Sequence, residues 1–415
     1  MNKKDILILR SLACQKKSIA LQKENSINER LWTLTNDLKM TIPPIYINEI
    51  CWHEMNYNDE LTLQTKDIFC QNLEQNLRKE IYLWNHMRGN MVVSDFIECP
   101  IITEGEHFGI IENVDIAKTD NNNDVVSRHF NIQIQNEDDI NKIKTPCIRV
   151  NWALTNRNFE LMQEIFSDTI EVRLCGKRGY WFTPWDNLIR WTGIEPIMFD
   201  LIERPEYVKS LVTRFVDASI SLLNQYNKLN IWASNNTNCR VGSGGYGYTD
   251  DLDSPLHLDT RASTNQLWGC GNAQIFSSVS QSMHFEFSLE QEIRWLSNFG
   301  LNYYGCCEPL HYKMDIMNKI PNLRKISVSP WCNIREISEL ANNKYVLSCK
   351  PNPAIFSTNN FDEDYVRNDL KKIFSESLGC SIELVLKDIS TVSYKPEHLW
   401  RWYQIACEEI KRFYN

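Results

Sequence analysis

At 415 residues, 43% hydrophobic and 23% charged, the chain carries enough apolar material for a large core, which excludes a disordered or low-complexity protein. A net charge of −9 excludes a broad nucleic-acid-binding surface, because phosphate recognition needs clustered Lys and Arg. No apolar run approaches the ~20 residues of a membrane span, and 14 scattered Cys fit reduced thiols in the cytoplasm better than a disulfide framework.

The opening Met1-Asn2-Lys3-Lys4 and the apolar run after it resemble a leader. Asp5 and Arg10 interrupt that run and Lys16-Lys17 follow, so an amphipathic helix is expected instead. Residues 1–42 form an N-terminal helical segment, with Ser26 and Glu29 as a capping box. Pro43-Pro44 then breaks the chain before a strand at 45–49. A helix at 73–86 and a buried strand at 91–95 come next. Between 105 and 146 the period changes to two around 130–135, and Asp120-Asn121-Asn122-Asn123-Asp124 is a polar turn, which predicts an inserted β-hairpin subdomain. Further strands are expected at 170–174, 229–234, 301–305, 325–329, 345–349 and 382–388, spaced by helices. Eight strands in parallel βαβ units with right-handed crossovers suggest an α/β fold, a closed (β/α)8 TIM barrel over the whole chain, 1–415. An open doubly wound sheet is the competitor.

Several segments, in a shared order, resemble the uroporphyrinogen decarboxylase (URO-D) superfamily, which includes corrinoid- and thiol-dependent methyltransferases. They are Pro43-Pro44-Ile45-Tyr46-Ile47, Val93-Ser94-Asp95-Phe96-Ile97, Tyr180-Trp181-Phe182-Thr183-Pro184-Trp185, Glu203-Arg204-Pro205-Glu206, Gln274-Ile275-Phe276-Ser277-Ser278 and Lys395-Pro396-Glu397-His398-Leu399. Tyr303 to Pro309 and Leu386 to Thr391 look like a branch often named after trimethylamine corrinoid proteins. The chain has no Asp-x-His-x-x-Gly cobalamin-ligand motif, so a corrinoid would sit on a separate protein.

In a parallel barrel the reactive groups stand at the C-terminal strand ends. At the first, the resemblance puts Glu49 and His53 where the decarboxylase keeps two carboxylate-binding arginines, with Trp52 beside them. That loss of a bidentate clamp argues against a polyanionic tetrapyrrole substrate. Asp95 stands at the decarboxylase's catalytic aspartate, with helix capping as its alternative role. Trp181, Trp185, Asp186 and Arg190 follow the third strand, and the two Trp are either site or core. Tyr304 and Cys306 stand at the zinc methyltransferases' His-x-Cys, and Asp388 at their last Cys and at the decarboxylases' histidine. Cys306, Glu308, His311 and Asp388 could together hold zinc; a mouth thiol without metal is the alternative. Lys350, leaving its strand into a Pro-locked turn, is expected at the mouth as a substrate anchor. The Gly-rich run 242–247 matches no phosphate-binding pattern and reads as a mobile active-site loop, with His257 beyond it.

A mouth rich in acids and aromatics favours a cation, including a methylated ammonium. With Cys306, Asp388, Asp95 and His53 as the catalytic set, the expectation is an enzyme moving a methyl group from a small metabolite, such as a methylamine, to a separate corrinoid protein or thiol. The alternatives are a non-porphyrin decarboxylase or lyase using Asp95 and His53, and a non-catalytic ligand-binding barrel. The resemblance also implies a homodimer.

Overall fold

A computed structural model of the chain describes residues 2–118, 126–253, 259, 261–358 and 360–414; the polar turn at 120–124 and His257 lie outside them. Two helices, α1 (Lys3–Ala20) and α2 (Lys23–Asn36), open the chain. The amide of Asp5 donates to the Asn2 side chain, which caps α1. Ser26 does not cap α2: it lies inside the helix, and its hydroxyl donates to the Lys23 carbonyl at 2.9 Å.

Strand β1 (Ile45–Ile47) is followed by helix α3 (Ile68–Met87) and by β2 (Phe96–Pro100). The expected strand at 91–95 is therefore displaced by one element width. Its first residues are buried coil, with the Val93 amide held by the Asn25 side chain at 2.7 Å. The insertion contains an antiparallel hairpin of β4 (Val114–Ala117) and β5 (Ser127–Phe130), and it is bracketed by β3 (Thr103–Glu104) and β6 (Arg149–Val150), which pair with each other. Helix α4 (Trp152–Phe166) leads to β7 (Glu171–Cys175), then α5 (Pro184–Thr192), α6 (Ile194–Glu203) and α7 (Pro205–Leu229). The remaining strands are β8 (Trp268–Gly271), β9 (Leu301–Tyr304), β10 (Leu323–Val328), β11 (Val346–Cys349) and β12 (Ile382–Leu386).

The fold is α/β. A curled six-stranded parallel sheet runs in the order β1-β12-β11-β10-β9-β8, and β2 and β7 form a separate parallel pair. The backbone ladder is thus an arc and a pair rather than the expected closed ring of eight. The strand expected at 229–234 is reduced to a single parallel bridge between Lys177 and Trp232. Two asparagine side chains splice the gaps. Asn90 receives the Ile45 amide on its side-chain oxygen (2.8 Å) while its backbone amide donates to the Ile45 carbonyl (2.9 Å). Asn235 accepts from the Trp268 amide and donates to the Trp268 carbonyl, both at 2.9 Å. The Asn235 carboxamide, and at Asn90 the side-chain oxygen with the backbone N–H, supply the acceptor and donor that a neighbouring strand would otherwise provide.

The main apolar core lies between the sheet and the helices of the C-terminal two thirds, and a second cluster packs α1, α3 and α4 onto β2 and β7. The interior of the arc is polar and filled. Lys325 and Glu383, both fully buried, pair at 2.9 Å there, and Glu383 also accepts from the Gly245 amide at 2.9 Å. The Gly-rich run is therefore a buried plug, not a loose loop. At Gly242 (φ +56°) a Cβ would stand 2.3 Å from the Tyr303 ring, and at Gly245 2.3 Å from Trp32, so only glycine lets the backbone pass. No helix among the described residues is long and apolar enough to cross a membrane.

Candidate functional site

Strand alternation decides which side chains reach the mouth of the arc. In β12, Glu383 points inward, and two-residue spacing carries Lys387 to the same side at the strand's end. The next residue, Asp388, has φ +58°, and Glu49, beyond β1, has φ +51°. The Ile389 amide donates to the Glu49 carbonyl at 3.0 Å, locking the two strand ends together. A glutamate held in the left-handed region is backbone strain, of the kind found where a side chain must be aimed. After β9, Gly305 (φ +98°) turns the chain, and the Glu308 carboxylate accepts from the Cys306 amide at 2.8 Å, fixing Cys306 and Cys307 at the rim.

These ends line a cavity of about 450 Å³ together with Trp181, Asp186, Arg240, Ser243 and Gln274. Lys387 is its electrostatic centre. Its ammonium lies 2.6 Å from Asp388 Oδ2, 3.2 Å from Glu49 Oε2 and 3.8 Å from Cys306 Sγ. Arg240 reaches Glu49 Oε1 at 2.7 Å. Burial would raise Glu49, but a hydrogen bond from Asp388 and the charges of Arg240 and Lys387 outweigh it and bring the carboxyl down to about 2. Burial and that same hydrogen bond push Asp388 up, against Lys387, so the proton of the pair belongs to Asp388. The hydrogen bond from Cys307 (Sγ to Sγ 3.6 Å) and the ammonium groups of Lys387 and Lys350 bring the Cys306 thiol down to about 7 despite burial. Cys307 moves strongly the other way, because it donates to Cys306 and is buried. Lys387 stays protonated: burial opposes its charge, and Cys306, Asp388 and Glu49 overcome that.

Asp186 is different. Burial raises it, opposed by the Gln274 amide (3.3 Å to each oxygen) and by the charge of Arg190. No cation is in contact with its carboxylate among the described residues. Trp181, 45% exposed, faces the same cavity.

Of the expected site residues, Glu49, Trp181, Asp186, Cys306 and Asp388 thus come together, and the others stand elsewhere. Trp52 and His53 line a separate depression with Arg78 and Lys79. Asp95 is exposed ahead of β2. Trp185 is core, edge-on to Phe276 at 5.0 Å. Arg190 lies one chamber outward, paired with Glu112 at 3.1 Å. Tyr304 points to the helix layer, where its hydroxyl meets Glu292 (2.6 Å) and His284 (3.0 Å) in a buried cluster. Lys350 lies beneath the cavity floor, not at the mouth. It donates to Tyr303 (3.0 Å) and Ser327 (2.5 Å), and Tyr303 meets Ser243 at 2.9 Å.

The four residues considered for zinc do not assemble. Glu308 is spent on the Cys306 amide, and His311 faces the Asn333 amide (3.4 Å) and Glu336 (4.0 Å). Between Cys306 and Asp388 sits the Lys387 ammonium, which would repel a metal cation and itself does what a metal would do to the thiol. Three potential ligand atoms do converge within 4.8 Å at Glu98, Cys175 and Asp259, but Arg178 occupies that place, 2.5 Å from Glu98 and 3.2 Å from Asp259. Arg240, Lys387, Gln274, Ser243 and Cys307 are site residues that sequence reasoning missed. Lys387 had a signal, since it continues the inward parity of Glu383.

One expected result follows directly. Alkylation of Cys306 by iodoacetamide, followed by peptide mass spectrometry, should accelerate through a midpoint near pH 7, because the thiolate is the reactive form. A midpoint at the ordinary thiol value of ~8.5 or above would refute the assignment.

No family model matches the chain, and no curated protein matches it. Among solved structures it is similar to a methyltransferase from Methanosarcina mazei, with a TM-score of 0.49 and 10% identity, over 94% of this chain and 99% of that one. At that score and identity the likeness carries no information about the chemistry of the site.

Proposed function

We propose that this chain is a methyltransferase that takes a methyl group from a small, positively charged methylated metabolite onto Cys306. The supporting observation is a thiol poised near neutrality beside Lys387, in the cavity that also holds an aromatic face, Trp181, and a carboxylate without a cation, Asp186. An onium group seated against Trp181 and Asp186 gains from the ring's negative face and supplies the missing counter-charge. The Cys306 thiolate attacks the methyl carbon, an S–C bond forms, and the old bond breaks with its electron pair passing to the departing nitrogen or sulfur, which leaves neutral. The same low pKa makes Cys306 a good leaving group. A second nucleophile, a thiol or a separate corrinoid protein, then takes the methyl and returns the electron pair to sulfur as thiolate. Zinc has no part in this route.

The fold belongs to the same reading. In that reading the curled sheet is part of a URO-D-like (β/α)8 barrel, supported by the β2–β7 pair, the Lys177–Trp232 bridge and the asparagine contacts at Ile45 and Trp268. Uroporphyrinogen is not the substrate in this reading. Arg240 and Lys387 are cations in the cavity, but both are engaged by the ionised Glu49 carboxylate between them, so neither is free for a polyanion.

Incubation with methylated ammonium and sulfonium donors should add one methyl to Cys306, read by peptide mass spectrometry. Asp186→Asn should weaken donor binding about tenfold at pH 8 and leave it little changed at pH 4. Burial holds the Asp186 proton to higher pH than usual, and only the ionised form attracts the donor. Methylation absent with every donor, or affinity in Asp186→Asn equal to that of the unaltered protein at pH 8, would sink the proposal.

A further inference from the structure

The inner cavity does not end at Asp186 and Gln274. Both residues also line a second chamber of about 530 Å³, walled by α5 and roofed by the insertion's hairpin. Asp186 and Arg190 lie four residues apart on α5, so they share a face roughly 6 Å apart along the axis. The insertion is pinned to the end of this helix: the amides of Gln133 and Ile134 donate to the Trp191 carbonyl at 2.7 and 3.0 Å. Its strand β5 brings Arg128 and Phe130 to the chamber, and Arg190 lies 5.6 Å from the Phe130 ring. Arg190 is paired with Glu112, whereas Arg128 has no carboxylate partner among the described residues. Ile189 and Ile194 supply apolar wall between the two charged ends.

The two chambers are of opposite character. In the inner one the cations Arg240 and Lys387 are paired with Glu49 and Asp388, which leaves Asp186, at the junction with the outer chamber, as the carboxylate without a cation. The outer one presents two guanidinium groups over an apolar lining. From this juxtaposition we infer that the substrate is zwitterionic: a methylated onium head in the inner cavity, a short apolar spacer past Ile189, and an anionic tail, such as a carboxylate, held by Arg128 and Arg190. Guanidinium groups suit such a tail because their donors match carboxylate geometry. The inference rests on the methyl-transfer reading and narrows its substrate class. It also gives the insertion a task, that of reading the end of the substrate that does not react.

The test compares γ-trimethylammoniobutyrate with butyltrimethylammonium, which has the same head and a similar length but no carboxylate, by calorimetric titration of the full chain. The carboxylate form should bind at least about tenfold more tightly. Arg128→Gln and Arg190→Gln should each erase most of that advantage, with folding verified by melting temperature. Because Arg190 also holds Glu112, Arg128→Gln is the decisive variant if Arg190→Gln melts early. Equal binding of the two probes, or an advantage that survives Arg128→Gln, overturns the inference. If in that case either probe still methylates Cys306, the methyl-transfer reading stands alone; if neither probe binds or methylates, both fall.

Discussion

Lys387→Met should slow alkylation of Cys306 at pH 7 by about tenfold or more, and methyl transfer by at least as much. The cause is charge. In the native cavity the ammonium lies 3.8 Å from the sulfur and helps bring the thiol down to about 7, so about half is thiolate at neutral pH. Without it, burial and the Glu308 carboxylate oppose ionisation with only the Cys307 hydrogen bond and Lys350 left to favour it, and the midpoint should rise. The sign is unambiguous: a raised thiol pKa removes thiolate at pH 7, and raising the pH restores it. Lys387→Arg should keep most of the reactivity, because the charge remains. A midpoint in Lys387→Met unchanged from the native protein would show that another group stabilises the thiolate.

Lys325→Met should produce the largest loss of stability, about 3–5 kcal/mol, because it strands Glu383 as a lone charge inside the arc. Both partners are fully buried, so no solvent screens the loss. Against total stabilities of ~5–15 kcal/mol, this is a substantial fraction. Replacing both, as Lys325→Met with Glu383→Leu, should recover much of the loss but not all. The Gly245 amide and the Tyr246 carbonyl would still lack the partners that Glu383 and Lys325 now provide. Urea midpoints of the two single variants and the double variant measure the coupling. A single variant within ~1 kcal/mol of the native protein would mean that the pair contributes little.

Apart from β8, the strands of the arc were largely legible because they are short runs rich in Ile, Leu, Val and Tyr bounded by turn residues. Strand β8 was not, since Trp268-Gly269-Cys270-Gly271 has two glycines in four residues and no alternation. Glycine is required at Gly269, where a Cβ would meet Asn302 and Phe299 at 2.5 Å. In the site, residues at the ends of β1, β9 and β12 were readable because chain direction fixes where a strand ends. Those that depended on strand parity or tertiary packing were not. Tyr304 was expected at the mouth, but Tyr303 has the inward parity, meeting Ser243 and Lys350, and Tyr304 faces the helices. Arg240 follows an irregular stretch without periodicity, so nothing local marked it as the partner of Glu49. The glycine run was misread for a similar reason: composition reports that a backbone can move, not that Tyr303, Trp32 and Glu383 close around it.

The pairing of β1 with β12 also constrains how the protein can be made. Ile45 aligns with Leu384, so the first strand lacks its ladder neighbour until roughly 340 further residues have been synthesised, which at ~5–20 residues per second is of the order of a minute or less on the ribosome. Throughout that interval an apolar strand has an open hydrogen-bonding edge, the condition that favours aggregation. The earlier partner is Asn90, whose carboxamide and backbone amide both engage Ile45 only 45 residues on. That residue can act as a provisional cover, holding the nascent strand beside the emerging N-terminal helices until the last strand arrives to complete the sheet.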